Sequence, residues 1–336
     1  MNKETKNNNI NKSYLTKVFS KKNLIKLAVV IIIYIILYLL VNQNILNRQM
    51  KSLLVPMGIN IILAVSLNLT TGFLGELSLG HAGFMAIGAY TGAIFTNTLS
   101  LPKPLEFTVG MILGGAVAAV FGIIIGVPVL RLKGDYLAIV TLAFGEIIRS
   151  IVNFLGITGG AKGLSGISRY SDFTWVYVVM ILTLLFITNF VKSRHGRAIS
   201  SIRDNYIAAE SIGIKVSKYK IMAFVIAAFF AGVAGVLYGH NLSILKPGDF
   251  DYNKSIEILV IVVLGGMGSI RGSVISAIVL TLLPELLRAA DDFRMLLYAI
   301  VLIAMMLFNS SGIRTKLEDS GKLPKLPTLK GRVNTR

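Results

Sequence analysis

Seven ionisable side chains lie inside long apolar stretches of the sequence, where a charge is costly unless it faces a partner or a water-filled cavity. They are Glu76, His81, Glu146, Arg149, Glu257, Glu285 and Arg288. Glu146 lies three residues before Arg149, and Glu285 stands in the same relation to Arg288. Residues at this spacing are neighbours on a helix. We therefore predict that both pairs neutralise themselves and serve the structure.

Glu76 and His81 lie in a different setting, the stretch 70-TTGFLGELSLGHAGFMAIGAY-90, which is rich in glycine and hydroxyl side chains. Irregular backbone at membrane depth is tolerated only where protein surrounds it or where it lines a water-filled cavity. The composition therefore predicts an unwound segment along a path through the membrane. For His81 a second interpretation stays open, in which it is a hydrogen-bonded residue of the helix packing.

Nothing in the sequence is typical of a nucleotide site or an enzyme centre. The closest approach to a phosphate-binding loop is 156-GITGGAKGLSGI-167, but Lys162 precedes a glycine instead of following one, and Leu164 replaces the required hydroxyl. The motifs HExxH and GxSxG do not occur, cysteine is absent, and there are three histidines. We expect no catalytic residue, cofactor or metal in this chain. If ATP drives its function, another polypeptide binds the ATP.

The connecting segment, residues 192–218, is a polar and basic region between two apolar stretches. Isoleucines recur in it at broadly helical spacing, at positions 199, 202, 207 and 212. Ala208, Ala209 and Glu210 favour a helix, and Gly213 suits its C-terminal end. This predicts a short helix along the membrane surface. It serves either to dock a cytoplasmic partner or to contact anionic lipid.

The elements that must position these residues are membrane helices, because 54% of the residues are hydrophobic, 15% are charged, and the apolar ones come in blocks. We expect an all-α fold, a polytopic helical bundle of about ten transmembrane or half-membrane helices. The candidate spans are residues 24–41, 53–69, 73–96, 107–130, 136–155, 175–191, 219–239, 255–267, 275–289 and 295–308. The regions 70–96 and 255–289 are interrupted by glycine and polar residues, which indicates half-helices or re-entrant turns.

Pairs of glycines four residues apart predict close helix packing. These pairs are 88/92, 110/114, 122/126 and 235/239.

Lysine and arginine are concentrated in residues 1–23, in residues 309–336 and in the connecting segment. Cytoplasmic loops of membrane proteins carry an excess of these residues. The bias places both termini and the connecting segment in the cytoplasm and requires an even number of spans, with eight still open. The same placement, at the flanks of spans, argues against nucleic-acid binding despite a net charge of +18. The domain boundaries expected are basic cytoplasmic tails at 1–23 and 309–336 around a transmembrane domain at 24–308.

From about residue 50 to 310 the chain resembles the permease subunits of ABC importers for branched-chain amino acids, and among them the LivM type. The matching stretches are 68-NLTTGFLGELSLGHAGFMAIGAY-90, 140-VTLAFGEIIRSIVNFLGITGGAKGLSGI-167, 197-RAISSIRDNYIAAESIGI-214 and 259-LVIVVLGGMGSIRGSVI-275. Each is a modest motif, but together, in this order and spacing, they are specific.

The resemblance implies a permease domain that pairs with a second, LivH-type permease, two cytoplasmic ATPases and an extracytoplasmic binding protein in a bacterial cytoplasmic membrane. It implies that the connecting segment couples the permease to the ATPases. We predict that the substrate path or its outer gate includes Glu76, Ser78, His81, Tyr90, Thr158 and Gly160. The residues predicted for ATPase coupling are Arg197, Arg203, Asp204, Ala208, Ala209 and Gly213.

Related importers with the same glycine-rich framework carry urea, short amides, simple sugars or nucleosides, so the substrate stays open among these and leucine, isoleucine or valine. A different class is also open, a secondary transporter that uses an ion gradient and a proton-carrying acid such as Glu76. That class would show two repeated halves, and no convincing repeat is present. A membrane-embedded enzyme would need clustered acids, histidines or a nucleophile at working spacing, which the sequence lacks.

Overall fold

The computed structural model of the chain describes residues 21–43, 47–99, 102–132 and 134–287, and positions 299, 300, 303 and 307. Regular structure in these ranges is helical, with one isolated β-bridge between Leu164 and Leu245. Two units divide the chain, residues 1–52 and 53–336. In the first unit, α1 (Lys21–Asn42) exposes a run of apolar side chains, with Tyr34 stacked on Tyr38 at 5.8 Å between ring centroids.

The second unit contains most of α2 and all later helices. In chain order the helices are α2 (Arg48–Asn68), α3 (His81–Thr98), α4 (Lys103–Val129), α5 (Asp135–Phe154), α6 (Phe173–Lys192), α7 (Arg194–Asp204), α8 (Tyr206–Ser211), α9 (Val216–Leu242), α10 (Tyr252–Gly265) and α11 (Ile270–Leu286). A π-helical turn at Leu69–Leu74 continues α2, and short 3₁₀ turns occupy Gly156–Thr158, Gly160–Lys162 and Pro247–Phe250. The apolar core lies between α2, α3, α4 and α9.

Helices α3, α4 and α9 cross where three glycines meet, which we call the glycine crossing (Gly88, Gly114 and Gly232). A Cβ atom on Gly114 would lie 2.9 Å from the carbonyl oxygen of Gly88, and one on Gly232 would lie 2.8 Å from the carbonyl oxygen of Gly114. Glycine is needed here because the obstacles are backbone atoms, which cannot rotate away. The close approach predicted from glycine spacing is confirmed for Gly88 and Gly114, whereas the spacing did not indicate Gly232.

The span predicted at 73–96 has the wrong boundaries. Residues up to Leu74 belong to the π turn that extends α2, residues 75–80 are irregular, and α3 begins only at His81. Gly75 ends the π turn with φ +82°, a conformation that favours glycine. The expected interruption of region 70–96 is confirmed, and we call residues 69–80 the break.

The region 255–289 forms two short helices, α10 and α11, joined by a turn at residues 266–269. They contain 14 and 17 residues, which gives lengths of about 21 and 26 Å, less than the ~30 Å hydrocarbon core of a bilayer. The two helices pack against each other where Gly265 and Gly272 leave no space for a Cβ atom. The predicted interruption of this region is confirmed, and the half-membrane character of the two helices stays a prediction.

Nine of the ten predicted spans fall on a helix among the described residues, and ten of the fourteen positions of the tenth, 295–308, lie outside them. Five helices within those ranges are long and apolar enough to cross a membrane by themselves. They are Gln49–Leu74, Lys103–Val129, Asp135–Phe154, Phe173–Lys192 and Val216–Leu242. The exposed surfaces of α4, α5 and α6 are rich in large apolar side chains, as expected of helices that face lipid or other membrane helices.

Candidate functional site

The break is held by backbone hydrogen bonds of the π turn and by side chains from distant elements. The Thr70 carbonyl accepts hydrogen bonds from the amides of Gly75 and Glu76 at the end of the π turn. The Leu79 amide donates to Thr141 Oγ1 at 3.0 Å, which attaches the irregular residues to α5. π-Helical turns are rare and are frequently found at functional sites. The break is therefore a candidate site on geometry as well as on composition.

His81, the first residue of α3, is buried and shares a hydrogen bond with a second buried polar group. Its Nε2 lies 2.9 Å from Ser66 Oγ of α2. The next amide, of Ala82, donates to Ser255 Oγ of α10 at 3.1 Å and so satisfies one of the free donors of the α3 N-terminus. These are the contacts expected if His81 is a hydrogen-bonded residue of the helix packing, the second of its two interpretations.

Two buried hydroxyls of the break, Thr71 Oγ1 and Ser78 Oγ, have no hydrogen-bond partner among the described residues. Most buried side-chain polar atoms in native proteins have a partner, so such groups call for an explanation. Ser78 was predicted on the path, and Thr71 was not singled out. Both belong to the segment in which the structure interrupts the helix.

Glu76 forms an ion pair with Lys220 in the first turns of α9, and both side chains are largely buried. A carboxylate paired in this way is fixed and neutralised by its partner, because an unpaired buried charge would be strongly unfavourable. No local pattern indicates this partner, which lies 144 residues away. Glu76 therefore joins the break to α9.

The remaining predicted path residues lie away from the break. The Tyr90 hydroxyl donates to the carbonyl of Leu245 at 3.2 Å, and Leu245 pairs through its backbone with Leu164. Thr158 donates to the carbonyls at the end of α5, and Gly160 adopts φ +55° in the following turn. The predicted residues thus form two groups, one at the break and one around the β-bridge.

Glu146 and Arg149 form the predicted pair on α5, with 2.6 Å between Glu146 Oε2 and Arg149 Nη2. The other carboxylate oxygen of Glu146 accepts from the backbone amide of Tyr252 at 3.1 Å. This contact, together with Asp251 Oδ1 on the amide of Lys254, caps the N-terminus of α10. The second predicted pair cannot be compared, because Arg288 lies outside the described residues.

The connecting segment forms two helices, α7 and α8, which confirms the helical prediction. Ser193 caps α7 by accepting from the amides of His195 and Gly196, and Asn205 caps α8 by accepting from those of Ile207 and Ala208. Gly213 follows α8 with φ +86°, and its amide donates to the Glu210 carbonyl at 2.9 Å, as expected after a helix C-terminus.

The six predicted coupling residues do not share one surface. Arg197, Asp204, Ala208 and Gly213 are exposed, but Ala209 is only 2% exposed. Ala209 packs in a small apolar cluster that also contains Leu69, Leu74, Ile199, Ile202 and Ala223. The Arg203 side chain is directed at the break, where its Nη1 donates to the Gly72 carbonyl at 3.0 Å. The connecting segment is thus anchored on the π turn and on α9.

Sequence reasoning missed several polar residues that hold the site together. Ser66, Asn68, Thr141, Lys220, Ser255 and Ser273 all bond the break or its neighbours. The only available signal was that each is a polar residue within or beside an apolar stretch, and distant partners are not readable from one sequence. In the described part of the chain no group of three or more histidine and acidic side chains could hold a metal ion.

Comparison with known proteins agrees with this architecture. A family model described as "Branched-chain amino acid transport system / permease component" matches residues 49–309. The chain belongs to this family. The permease is 36% identical to the high-affinity branched-chain amino acid transport system permease protein LivM of Escherichia coli (strain K12), over 76% of this chain and 67% of that relative. No solved structure matches the chain.

Two other relatives match the permease at lower identity. The high-affinity branched-chain amino acid transport system permease protein LivH of Escherichia coli (strain K12) is 24% identical over 75% of this chain and 90% of its own length. The ribose import permease protein RbsC of Escherichia coli (strain K12) is 26% identical over 88% of this chain and 96% of its own length. The expected resemblance to LivM-type permeases and the expected helical membrane fold are both confirmed.

Proposed function

We propose that the chain is one membrane-embedded permease subunit of an ATP-driven importer that carries leucine, isoleucine and valine across a bacterial cytoplasmic membrane. The observation that carries this proposal is the family match over residues 49–309, together with 36% identity to a LivM permease. The chain contains no nucleotide-binding motif, so ATP is bound by partner subunits. The permease itself is not an enzyme.

The partners proposed are a second, LivH-type permease, two cytoplasmic ATPases and an extracytoplasmic binding protein that delivers the substrate. Two of the similar proteins, LivM and LivH, are named as permeases of one kind of transport system, which supports an importer with two different permease subunits. Both termini lie in the cytoplasm in this proposal, because basic residues concentrate in the tails and in the connecting segment.

The connecting segment is the proposed docking site for an ATPase. Ile207 and Ile212 are 64% and 75% exposed there, beside the exposed Tyr206 and Ala208. An apolar surface on a polar segment supports a protein contact, because exposed apolar patches rimmed by polar residues often mark interaction sites. Ala209, which we expected to share that contact, instead anchors the segment inside the permease.

The proposed substrate path passes the break. Ser78, Thr71 and His81 bring polar atoms to a position where the helix is interrupted, and interrupted helices line binding sites in membrane transporters. Glu76 and Tyr90 contribute by holding neighbouring elements, since the first pairs with Lys220 and the second bonds to the bridge region. Conformational change driven by the ATPases, rather than covalent chemistry, would move the substrate.

Thr158 and Gly160 remain proposed for an outer gate, in which they act by setting the shape of their loop. The Thr158 hydroxyl is occupied by the carbonyls of Val152 and Leu155, at 2.5 and 2.7 Å. It therefore stabilises the transition from α5 into the loop that follows. Gly160 allows the tight turn because its positive φ is unfavourable for other residues. We propose that this loop opens and closes around a hinge at these residues.

The test is uptake of labelled leucine, valine, urea and ribose at low concentration, in cells with the gene, without it, and with the gene restored. We expect loss of leucine and valine uptake alone, recovery on restoration, and persistence of uptake under an uncoupler when ATP is maintained. Loss of ribose or urea uptake instead would show that the proposed substrate is wrong, although the proposed ATP-driven import mechanism would still stand. Ribose is included because the ribose permease relative matches most of the chain.

Sensitivity to the uncoupler at constant ATP would overturn the ATP-driven mechanism and favour the ion-coupled alternative. In that case Glu76→Gln should abolish the dependence on the gradient, because Glu76 is the acid that the alternative requires. Under the proposed mechanism Glu76→Gln lowers uptake only through the loss of its pairing with Lys220. The two mechanisms therefore predict different effects of the uncoupler on uptake, and different effects of Glu76→Gln on uptake.

A further inference from the structure

Two separate turns of the permease meet at the break and are joined there by a buried side chain. Asn68, the last residue of α2, accepts a hydrogen bond from the Gly268 amide at 2.8 Å and donates one to Ser273 Oγ at 2.9 Å. A Cβ atom on Gly72 would overlap both Asn68 Oδ1 and the Gly268 amide nitrogen. The π turn and the α10–α11 turn are therefore in contact through their backbones.

Arg203 of α7 reaches this contact from the connecting segment. Its Nη1 donates to the Gly72 carbonyl at 3.0 Å, while Nε and Nη2 donate to Asp204 Oδ1 at 3.2 and 3.0 Å. A Cβ atom on Gly75 would lie 2.7 Å from Arg203 Cγ, and one on Gly268 would lie 3.3 Å from its Nη1. The side chain thus lies along the π turn and ends against the α10–α11 turn. We call Asn68, Gly72, Arg203 and Gly268 the junction.

The chemistry of this contact requires arginine. The Gly72 carbonyl lies near the C-terminal end of the helix that α2 and the π turn form, where carbonyls lack helical partners and a positive charge is favourable. A guanidinium presents several N–H donors in a fixed plane, so it can bind Asp204 and the Gly72 carbonyl at once. Lysine has the charge but not the planar fork.

The connecting segment is fixed to the break at a second place. Ile199 and Ile202 of α7 are buried in the apolar cluster that contains Leu69 and Leu74 of the π turn. A displacement of α8 therefore reaches the break through α7, by apolar packing and by the Arg203 hydrogen bond. Packed elements of this kind carry energetic coupling between distant sites.

We propose that Arg203 is a positioning residue that links movement of the connecting segment to the two turns of the junction. It acts inward on the permease and does not contact the ATPase itself. Asp204 orients the guanidinium, and Asn68 joins the two turns so that they move together. This inference rests on the proposed function only in that an ATPase is what displaces the connecting segment.

The first experiment compares Arg203→Gln, Arg203→Lys and Asp204→Asn in the complete transporter, reconstituted in lipid vesicles with its permease partner, ATPases and binding protein. Arg131→Gln is the matched control, because Arg131 is an exposed arginine that lies outside the connecting segment and outside the break. The quantities measured are leucine transported per ATP hydrolysed, and the KM values for leucine and ATP.

We expect Arg203→Gln to lower the transport-to-hydrolysis ratio about tenfold, the effect of losing one hydrogen bond from a charged donor, with both KM values unchanged. Arg203→Lys and Asp204→Asn should give intermediate ratios, and Arg131→Gln the parent ratio. A purely structural role would lower transport and hydrolysis in proportion, and that result overturns the inference. So does a parent-like ratio in Arg203→Gln.

A second measurement does not depend on transport. The sequence has no cysteine, so the double variant Arg194→Cys and Met267→Cys, at two exposed positions, can carry spin labels on α7 and on the α10–α11 turn of the permease in the same complex. We expect one narrow distance distribution in the parent and a broadened one in Arg203→Gln. An unchanged distribution overturns the inference. If the parent complex shows no ATP-driven uptake, the proposed function fails, and the label distances still decide the inference.

Discussion

Ile207 and Ile212 expose 64% and 75% of their surface on the connecting segment, although isoleucine is among the residues most often buried. If an ATPase covers them, each contributes apolar burial to the complex. Full burial of such a side chain is worth about 1.5–3 kcal/mol, so the exposed fraction, less the Cβ that alanine keeps, corresponds to about 1–1.5 kcal/mol. Each substitution by alanine should therefore raise the Kd for the ATPase about fivefold to tenfold.

The assay is titration of the purified ATPase onto the permease pair in lipid nanodiscs. The variants are Ile207→Ala, Ile212→Ala and the double substitution, for which additivity predicts a Kd about 50-fold above the parent. Ile139→Ala is the matched control, because Ile139 is 62% exposed but lies on the spanning helix α5. It should leave the Kd unchanged. The Tm of the permease should stay the same in every variant, since none of these side chains is buried in it.

A Kd that stays at the parent value in the double variant would refute the assignment of this surface to the ATPase. Contact with anionic lipid would then be the remaining role for the connecting segment, and its exposed lysine and arginine side chains supply the positive charge that this contact needs. A fall in Tm together with the change in Kd would also contradict the reasoning, because it would mean that the isoleucines stabilise the permease.

Three further predictions concern the stability of the bundle, each measured as the Tm of the purified permease. Gly114→Ala should lower the free energy of unfolding by about 1–3 kcal/mol, because the added Cβ would meet backbone atoms of a neighbouring helix. Gly110→Ala should be tolerated, since the nearest atom to its Cβ would lie 3.4 Å away in a side chain. Equal Tm values for the two variants would contradict this. Lys220→Met should lower the free energy of unfolding by about 3 kcal/mol because it leaves Glu76 unpaired, and the additional substitution Glu76→Gln should restore most of that stability. A parent-like Tm in Lys220→Met alone would show that the ion pair does not stabilise the permease. Asn68→Leu should cost about 2–4 kcal/mol because it leaves a buried backbone amide and a buried hydroxyl without partners; an unchanged Tm would disprove the contact.

The helices and the interruptions in two of them were predictable because apolar blocks, glycines and polar residues are local signals. The prediction of a break near Glu76 is an example. Residues 70–80 contain three glycines and three hydroxyl side chains, which leave few large side chains to pack. The start of α3 at His81 was not predictable, because the π turn at Leu69–Leu74 and the irregular residues after it are both rich in glycine and hydroxyl side chains, and this composition does not mark where helical hydrogen bonding stops and resumes. Hydrophobic pattern measures solvent preference and does not distinguish one helical hydrogen-bond register from another.

The contacts of the site were less predictable than its location. Ala208 and Ala209 have equal helix propensity, yet one is exposed and the other is buried against the π turn. Arg203 was expected in coupling because the resemblance to the permease family implies that role for the connecting segment, and its bond to the Gly72 carbonyl joins residues 131 positions apart. Such pairings depend on how the helices pack, which a single sequence does not encode in any local pattern.

The two kinds of contact in the bundle suggest where it can move. At the glycine crossing, backbone meets backbone on α3, α4 and α9, and sliding of one helix would drive carbonyl oxygens into neighbouring chains. These three helices should therefore move as one body. The junction is held differently, by hydrogen bonds of Asn68 and Arg203 that can exchange partners at modest cost. A conformational change that begins at the connecting segment should accordingly displace the π turn and the α10–α11 turn against a rigid core, and the spin-label distances across the junction should change with nucleotide while those within α3, α4 and α9 stay constant.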